Sequence, residues 1–210
     1  MEINLNNYQI LDKFNVPRET YHIFDQFRDL VVEKNQKINL IGKKTIKNFE
    51  ERHIIDCAQA IDFVDIKHNT CTDIGSGAGL PGIVLAIVLK GKNIQVKMNL
   101  FEKSHHKSNF LRQIAEKFKL NVEIFEKDIF KEKNLTTGSI LVRAFKPLPI
   151  ILELVQNNFQ NYENLVVFMG KNGKQLLKDS VKKWKFEYKE KRSITSKDSF
   201  LINIKKIKKK

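Results

Sequence analysis

Two cysteines, Cys57 and Cys71, are all the thiol that 210 residues contain. They make no C-x-x-C pair and have no metal-ligand spacing. That excludes a disulfide framework, leaves no metal to expect, and fits a reducing compartment. Long apolar runs are missing as well: the longest, residues 83–89, is far too short to cross a bilayer. The opening residues, Met1-Glu-Ile-Asn-Leu-Asn-Asn-Tyr8, have neither the basic stretch nor the apolar core of an export signal. These absences point to the cytoplasm and away from membranes. Acid is also in deficit, with 24 Asp and Glu against 38 Lys and Arg, a net charge of +14. Such an excess favours a polyanionic partner. The competing reading is a lysine-, asparagine- and isoleucine-rich proteome. The chain has no internal repeat and no linker-like segment.

Hydrophobic residues make up 41% and aromatics 10% of the chain, enough for the core of one α/β unit with a small extension. Glycine is scarce, nine in all, yet four fall within eight positions of Cys71-Thr-Asp73-Ile-Gly75-Ser-Gly77-Ala-Gly79-Leu-Pro-Gly82. An apolar stretch precedes this run and another follows it. That is strand, glycine turn, helix, where backbone approaches something closely.

Residues 1–65 read as a helical extension. Pro17 starts a helix whose Tyr21, Phe24, Phe27, Leu30 and Val31 recur at helical spacing and belong to the core. A second helix covers residues 49–63. From residue 66 to 210 the texture changes. Strands are predicted at 70–74, 94–101, 122–125, 139–143 and 165–169, separated by helices at 80–90, 104–118, 147–159 and 173–184. Segments 187–194 and 200–204 close the sheet as an antiparallel pair. Alternating strand and helix means a doubly wound, mostly parallel sheet. Seven strands with this ending is the count of the Rossmann-like class I S-adenosylmethionine-dependent methyltransferase fold. The tail Lys205-Lys-Ile-Lys-Lys-Lys210 reads as a solvated terminus or as an RNA-touching one.

Gly77, Gly79 and Gly82 also fit the dinucleotide pattern G-x-G-x-x-G. Charge separates the two cofactors. A pyrophosphate would be repelled by Asp73 at the strand end, whereas S-adenosylmethionine, with an ammonium, a sulfonium and one carboxylate, suits an acid there. Glu102, at the end of the second strand, can hold two ribose hydroxyls in either cofactor. Asp128 follows the third strand, near the expected adenine. Each acid alone could be a helix cap or a surface group.

Exclusion narrows the methyl acceptor to a nucleophile that needs no deprotonation, without naming the base. Ring-carbon methylation needs a cysteine nucleophile after the fourth or sixth strand, and none is there. Exocyclic-amine methylation uses an Asn/Asp-Pro-Pro-aromatic turn after the fourth strand; here that position reads Val142-Arg143-Ala144-Phe145-Lys146-Pro147. A ring nitrogen with a free lone pair, such as guanine N7, needs neither base nor covalent intermediate. It needs only in-line placement, so no catalytic acid or base is expected.

The chain resembles, over nearly its whole length, the RsmG family of bacterial 16S rRNA guanine-N7 methyltransferases, also called glucose-inhibited division protein B. The resemblance rests on Asn39-Leu40-Ile41, with Ile41 where the family has Thr, and on Arg52-His53-Ile-Ile-Asp56-Cys57. It rests further on residues 73–82 with their Leu80-Pro81, on Phe110-Leu111, and on Arg143-Ala144-Phe145. It implies cofactor contacts at Gly75, Leu80, Ile129, Phe130 and Arg143. It also implies a guanosine in the 530 loop of 16S rRNA, splayed out to reach the cleft. Asp73, Gly77 and Glu102 join the cofactor set from the loop chemistry. Lys107, Arg112 and Lys171 are candidates for rRNA phosphate. Two departures touch that last group: His106-Lys107 replaces a basic pair, and Lys171 follows Phe168-Met169-Gly170 one step late. His53 and Asp56 read as a polar packing hinge. A monomer acting on the small ribosomal subunit is expected. An NAD(P)-dependent oxidoreductase, or an RNA-binding protein on an inactive scaffold, are the alternatives.

Overall fold

The structure, a computed structural model, describes residues 5–210. The first four residues, part of the N-terminal segment read above, lie outside the described residues. One seven-stranded sheet organises the chain. Its strands are β1 (Thr70–Ile74), β2 (Lys97–Phe101), β3 (Val122–Phe125), β5 (Ser139–Val142), β7 (Asn164–Met169), β8 (Trp184–Arg192) and β9 (Phe200–Lys209). They lie in the order β3-β2-β1-β5-β7-β9-β8, and β9 alone runs antiparallel to its neighbours. β1 and β5 are buried on both faces; β5 accordingly reads as an apolar run, whereas β1 carries Thr72 and Asp73 into the interior. Strand order reverses between β1 and β5, so the loops that leave their carboxyl ends diverge and open a crevice.

All seven expected strands are present, with bounds shifted by a few residues. Two elements were not foreseen: β4 (Leu135–Thr136) and β6 (Phe159–Asn161) form a separate short parallel pair. The lysine tail is part of the sheet: residues 205–209 extend β9, paired with β8 from Glu187↔Lys205 to Trp184↔Lys209, and Lys205, Lys206, Lys208 and Lys209 stay exposed. Ladder bonds are made by backbone, so a strand with an ordered neighbour can continue through a sequence with no apolar alternation.

Helices cover both faces. α3 (Gly82–Gly91) is buried from Gly82 to Leu89, because the sheet lies on one side and the N-terminal helices on the other. α1 (Tyr21–Asn35) turns Tyr21, Phe24, Phe27 and Val31 inward. Residues 50–63 form one helical passage of three pitches: a π-turn Glu50–Ile55, α2 (Asp56–Ala58) and a 3-10 turn Gln59–Phe63. π-turns recur at functional sites because they re-aim side chains. One apolar cluster runs from Tyr8 and Leu11 through Phe27, Leu85 and Leu100 to Leu201, so helices and sheet share a core. α4 (His105–Lys117) covers the β2–β3 side; α5 (Leu148–Asn158) and α6 (Gly173–Lys183) cover the opposite face around Leu152, Val167, Leu177 and Ile202.

Buried polar groups fix the far end of the sheet. Ser139 Oγ donates to Asn164 Oδ1 at 2.7 Å, and Asn164 Nδ2 donates to Asn203 Oδ1 and to the Phe63 carbonyl, both at 2.8 Å. β5, β7, β9 and the end of the N-terminal helices are thereby held in one register.

Candidate functional site

The glycine loop leaves β1 with three successive left-handed glycines, φ +71° at Gly75, +57° at Gly77 and +89° at Gly79. Only glycine adopts these without strain. A Cβ at Gly75 would lie 2.4 Å from the Phe145 ring, so the loop also needs hydrogen there for close approach. At Gly77 a Cβ would meet nothing nearer than the Gly75 carbonyl at 3.9 Å, which leaves that backbone open. Gly75 and Ser76 donate to the Phe101 carbonyl at 2.9 and 3.0 Å, fastening the loop to β2. The Leu80–Pro81 peptide is cis.

Asp73 stands beneath the loop. Its carboxylate is fully buried and is not among the residues that line the main cavity. Oδ2 accepts the Gly82 N–H at 3.0 Å, and Oδ1 has no hydrogen-bond partner among the described residues. Burial pushes its pKa up to about 7, although the Gly82 N–H and the charge of Arg143 pull the other way. Asp73 therefore shapes the loop from beneath. The reason is geometric: it sits inside β1 one residue before the strand ends, with its side chain on the α3 side.

Above the loop opens a cavity of about 930 Å³. Gly75, Gly77 and Leu80 form its floor. Glu102 stands at the end of β2, 8% exposed; Oε2 accepts the Gly77 N–H at 3.0 Å and Oε1 the Ser104 N–H at 2.8 Å. These bonds aim the carboxylate, and its remaining lone pairs can accept two vicinal hydroxyls. Asp128 accepts the Phe130 N–H at 3.2 Å, capping the short turn Ile129–Lys131. That turn presents Ile129 and Phe130 to the cavity, and the Phe130 ring stacks near the Phe145 ring at 5.9 Å and 23°. Open loop backbone, an aimed carboxylate and a flat apolar wall, in that order across the strand ends, fit S-adenosylmethionine: its methionine part, its ribose and its adenine.

Arg143 closes the opposite side. It follows β5 and precedes Ala144, whose φ of +51° is left-handed in a non-glycine residue; such strain gathers at functional turns. Arg143 Nε donates to Asp56 Oδ2 at 3.2 Å, and Nη2 donates to the Arg52 carbonyl at 2.7 Å. Asp56 Oδ1 also accepts from Gln59 Nε2 at 3.0 Å, Thr195 Oγ1 at 3.0 Å and Ser193 Oγ at 3.3 Å. Three distant segments thus meet on one carboxylate. His53 faces the same cavity, with Nε2 2.9 Å from Thr45 Oγ1, its ring edge-on to Phe49 and Nδ1 without a partner among the described residues. Burial first, then the charges of Arg143 and Arg52, lower its pKa to about 4, so the ring is neutral at pH 7. His53 and Asp56 are more than a packing hinge, since both line the cavity.

The basic candidates separate. Lys107 lines the cavity. Arg112 does not: it donates to Asn109 Oδ1 at 2.7 Å and pairs with Glu126 at 2.9 Å on the outer face of α4. Lys171 edges a second, smaller cavity of about 330 Å³ that shares Phe145, Lys146 and Met169 with the first. Sequence reasoning missed Lys103 and Lys146 at the main cavity, and Ser193, Thr195, Ser196 and Ser199 in the turn between β8 and β9. The hydroxyl density of residues 193–199 was the available signal.

Residues 20–203 match the family described as rRNA small subunit methyltransferase G. The chain is 53% identical over 212 residues to the ribosomal RNA small subunit methyltransferase G of Pelagibacter ubique, with each chain covered fully. It is 33% identical to the Rickettsia rickettsii protein of the same name, over 90% of this chain and 95% of that one. Among solved structures, a SAM-dependent methyltransferase from Aquifex aeolicus superposes with a TM-score of 0.56 at 15% identity, covering 78% of this chain and 98% of the other. The 16S rRNA methylase RmtB gives 0.53 at 12%, covering 98% and 100%. These two show the fold: class I S-adenosylmethionine-dependent methyltransferase.

Proposed function

The chain belongs to the rRNA small subunit methyltransferase G family, and from that premise we propose that it methylates N7 of a guanosine in the 530 loop of 16S rRNA, as a cytoplasmic monomer acting on the small ribosomal subunit. It is an S-adenosylmethionine-dependent enzyme. When bound, that cofactor supplies a methyl group on a sulfonium. The chain's own residues bind, orient and exclude. Gly75, Gly77 and Leu80 carry the methionine part, Glu102 the ribose, and Ile129 and Phe130 the adenine. Asp73 favours a cationic ligand from beneath. Arg143, held by Asp56, contacts the cofactor and closes its site. The Gly77–Glu102 hydrogen bond carries this reading furthest, because it builds floor and ribose acceptor as one piece.

Guanine N7 keeps its lone pair at neutral pH, so no residue has to take a proton before attack; placement is the catalysis. The neutral His53 agrees with that. We also keep residues 1–65 as a helical extension on a cofactor-binding unit of residues 66–210. The extension supplies Ile41, Thr45, His53 and Asp56 to the cavity wall. Lys107, with Lys103 and Lys146, meets RNA phosphate at the mouth. Calorimetric titration should detect S-adenosylmethionine and not NAD. Mass spectrometry of 16S rRNA from a deletion strain should show 7-methylguanosine lost from the 530 loop; its persistence there would refute the substrate.

A further inference from the structure

The positive charge is concentrated. Residues 173–210 contain fourteen Lys and Arg and four Asp and Glu, a surplus of ten out of the chain's net +14. A lysine-rich proteome alone would spread that charge evenly. The surplus sits on α6, β8 and β9. Several of these lysines are engaged: Lys174 with Glu190, Lys191 with Asp62 at 2.6 Å, Lys206 with Glu187 at 2.8 Å and Lys209 with Glu153 at 3.6 Å. Others are not. Among the described residues no carboxylate pairs with Lys185, Lys189, Lys205 or Lys208, and all four are exposed.

Register places these four together. Lys189 pairs with Asn203, Glu187 with Lys205 and Lys185 with Lys208, with a bulge at Lys206 where φ is +54°. Residues paired across a ladder share a face, and alternate residues along a strand share it too. Lys185, Lys189, Lys205 and Lys208 therefore lie on one face of the two-stranded ribbon, with Glu187 already taken by Lys206. Lys185 and Lys208 oppose each other directly, a like-charge cross-strand pair that costs stability unless an anion lies between them.

One end of the ribbon borders the cavity, and the end that carries Lys185, Lys205 and Lys208 is remote from it. β7 pairs with β9 only as far as Leu165↔Ile204, so Lys205 and Lys208 extend beyond the sheet at the amino ends of the parallel strands. The cavity lies at their carboxyl ends, where Phe200 lines it. At about 3.3 Å per residue, Lys208 is roughly 25 Å from Phe200.

We propose that this lysine face is a second RNA-docking surface, which grips backbone phosphates of the same rRNA some distance from the methylated nucleotide. It rests on the rRNA reading above. Phosphate contacts fix register without reading sequence. A surface this far away orients the substrate as a whole, and leaves the cavity to select one base.

The test replaces Lys185, Lys189, Lys205 and Lys208 by Gln together and measures filter binding of full-length 16S rRNA and of a short 530-loop hairpin, with S-adenosylhomocysteine present. A control variant carries Lys13→Gln, Lys34→Gln, Lys37→Gln and Lys117→Gln. Expected is a loss of 16S rRNA affinity of about tenfold and a salt slope shallower by roughly three, with hairpin affinity, S-adenosylmethionine affinity and circular dichroism unchanged. The corresponding four Lys→Arg changes should restore binding, since charge is what the face supplies. Unchanged 16S rRNA affinity would overturn the proposal, and so would an equal loss in the control variant or on the hairpin. Failure of the wild-type protein to methylate 16S rRNA would instead refute the functional reading, which the binding measurement does not depend on.

Discussion

Asp73 and His53 are both buried beside the site, and burial moves them in opposite directions. Asp73 has its folded pKa raised to about 7 from 3.8. The folded protein therefore holds an extra proton between those values, and what Asp73 contributes falls as pH rises through them. Asp73→Asn keeps an oxygen for the Gly82 N–H and removes the charge. It should gain stability on wild type between pH 5 and pH 8, on the order of 2 kcal/mol, read by urea unfolding at both values. It should also lose what the acid gives a cationic ligand. The ratio of wild-type to Asp73→Asn affinity for S-adenosylmethionine should rise from pH 6 to pH 8, and a flat ratio in calorimetry would remove Asp73 from cofactor binding. His53 has its folded pKa lowered to about 4 from 6.5. Its contribution is complete above 6.5 and is lost as pH falls towards 4. His53→Phe should accordingly gain about 2 kcal/mol relative to wild type on going from pH 7 to pH 4.5.

At the scale of elements, the junction on Asp56 is the point to break. Its carboxylate joins the helical passage of residues 50–63, the end of β5 and the turn between β8 and β9. Asp56→Ala strands the largely buried Arg143 cation and three donors, and should cost about 3 kcal/mol in chemical unfolding. Asp56→Asn keeps one acceptor oxygen and should cost less than half of that. If both variants unfold like wild type, the junction contributes nothing. Element order and type were legible in the sequence because α3 is apolar from Ile83 to Leu89, β5 is a short apolar run and β1 leads straight into a glycine turn. The junction was not legible: Asp56 and Thr195 are 139 positions apart, and no local pattern announces their meeting. The burial of Asp73 was not legible for a related reason. Its motif gives its position along β1 and not the side of the strand its carboxylate takes.

For the molecule as a whole, the shared core decides how it unfolds. Tyr8, Leu11, Phe24 and Phe27 are at most 1% exposed and belong to the same cluster as Leu85 and Leu201. Calorimetric unfolding should show one cooperative transition, with van't Hoff and calorimetric enthalpies equal. Two resolved transitions would mean that residues 1–65 fold apart from the sheet. The charge and its concentration in residues 173–210 were visible in the sequence, but the shared face of Lys185, Lys189, Lys205 and Lys208 was visible only once β9 was seen to continue through its lysines.

The position of β9 also sets an order of assembly. It lies between β7 and β8 and places Phe200 and Leu201 in the cavity wall. β8 precedes β9 in the chain and has no other neighbour in the sheet, so it cannot join until β9 has docked on β7. The cavity wall is complete only when that docking is.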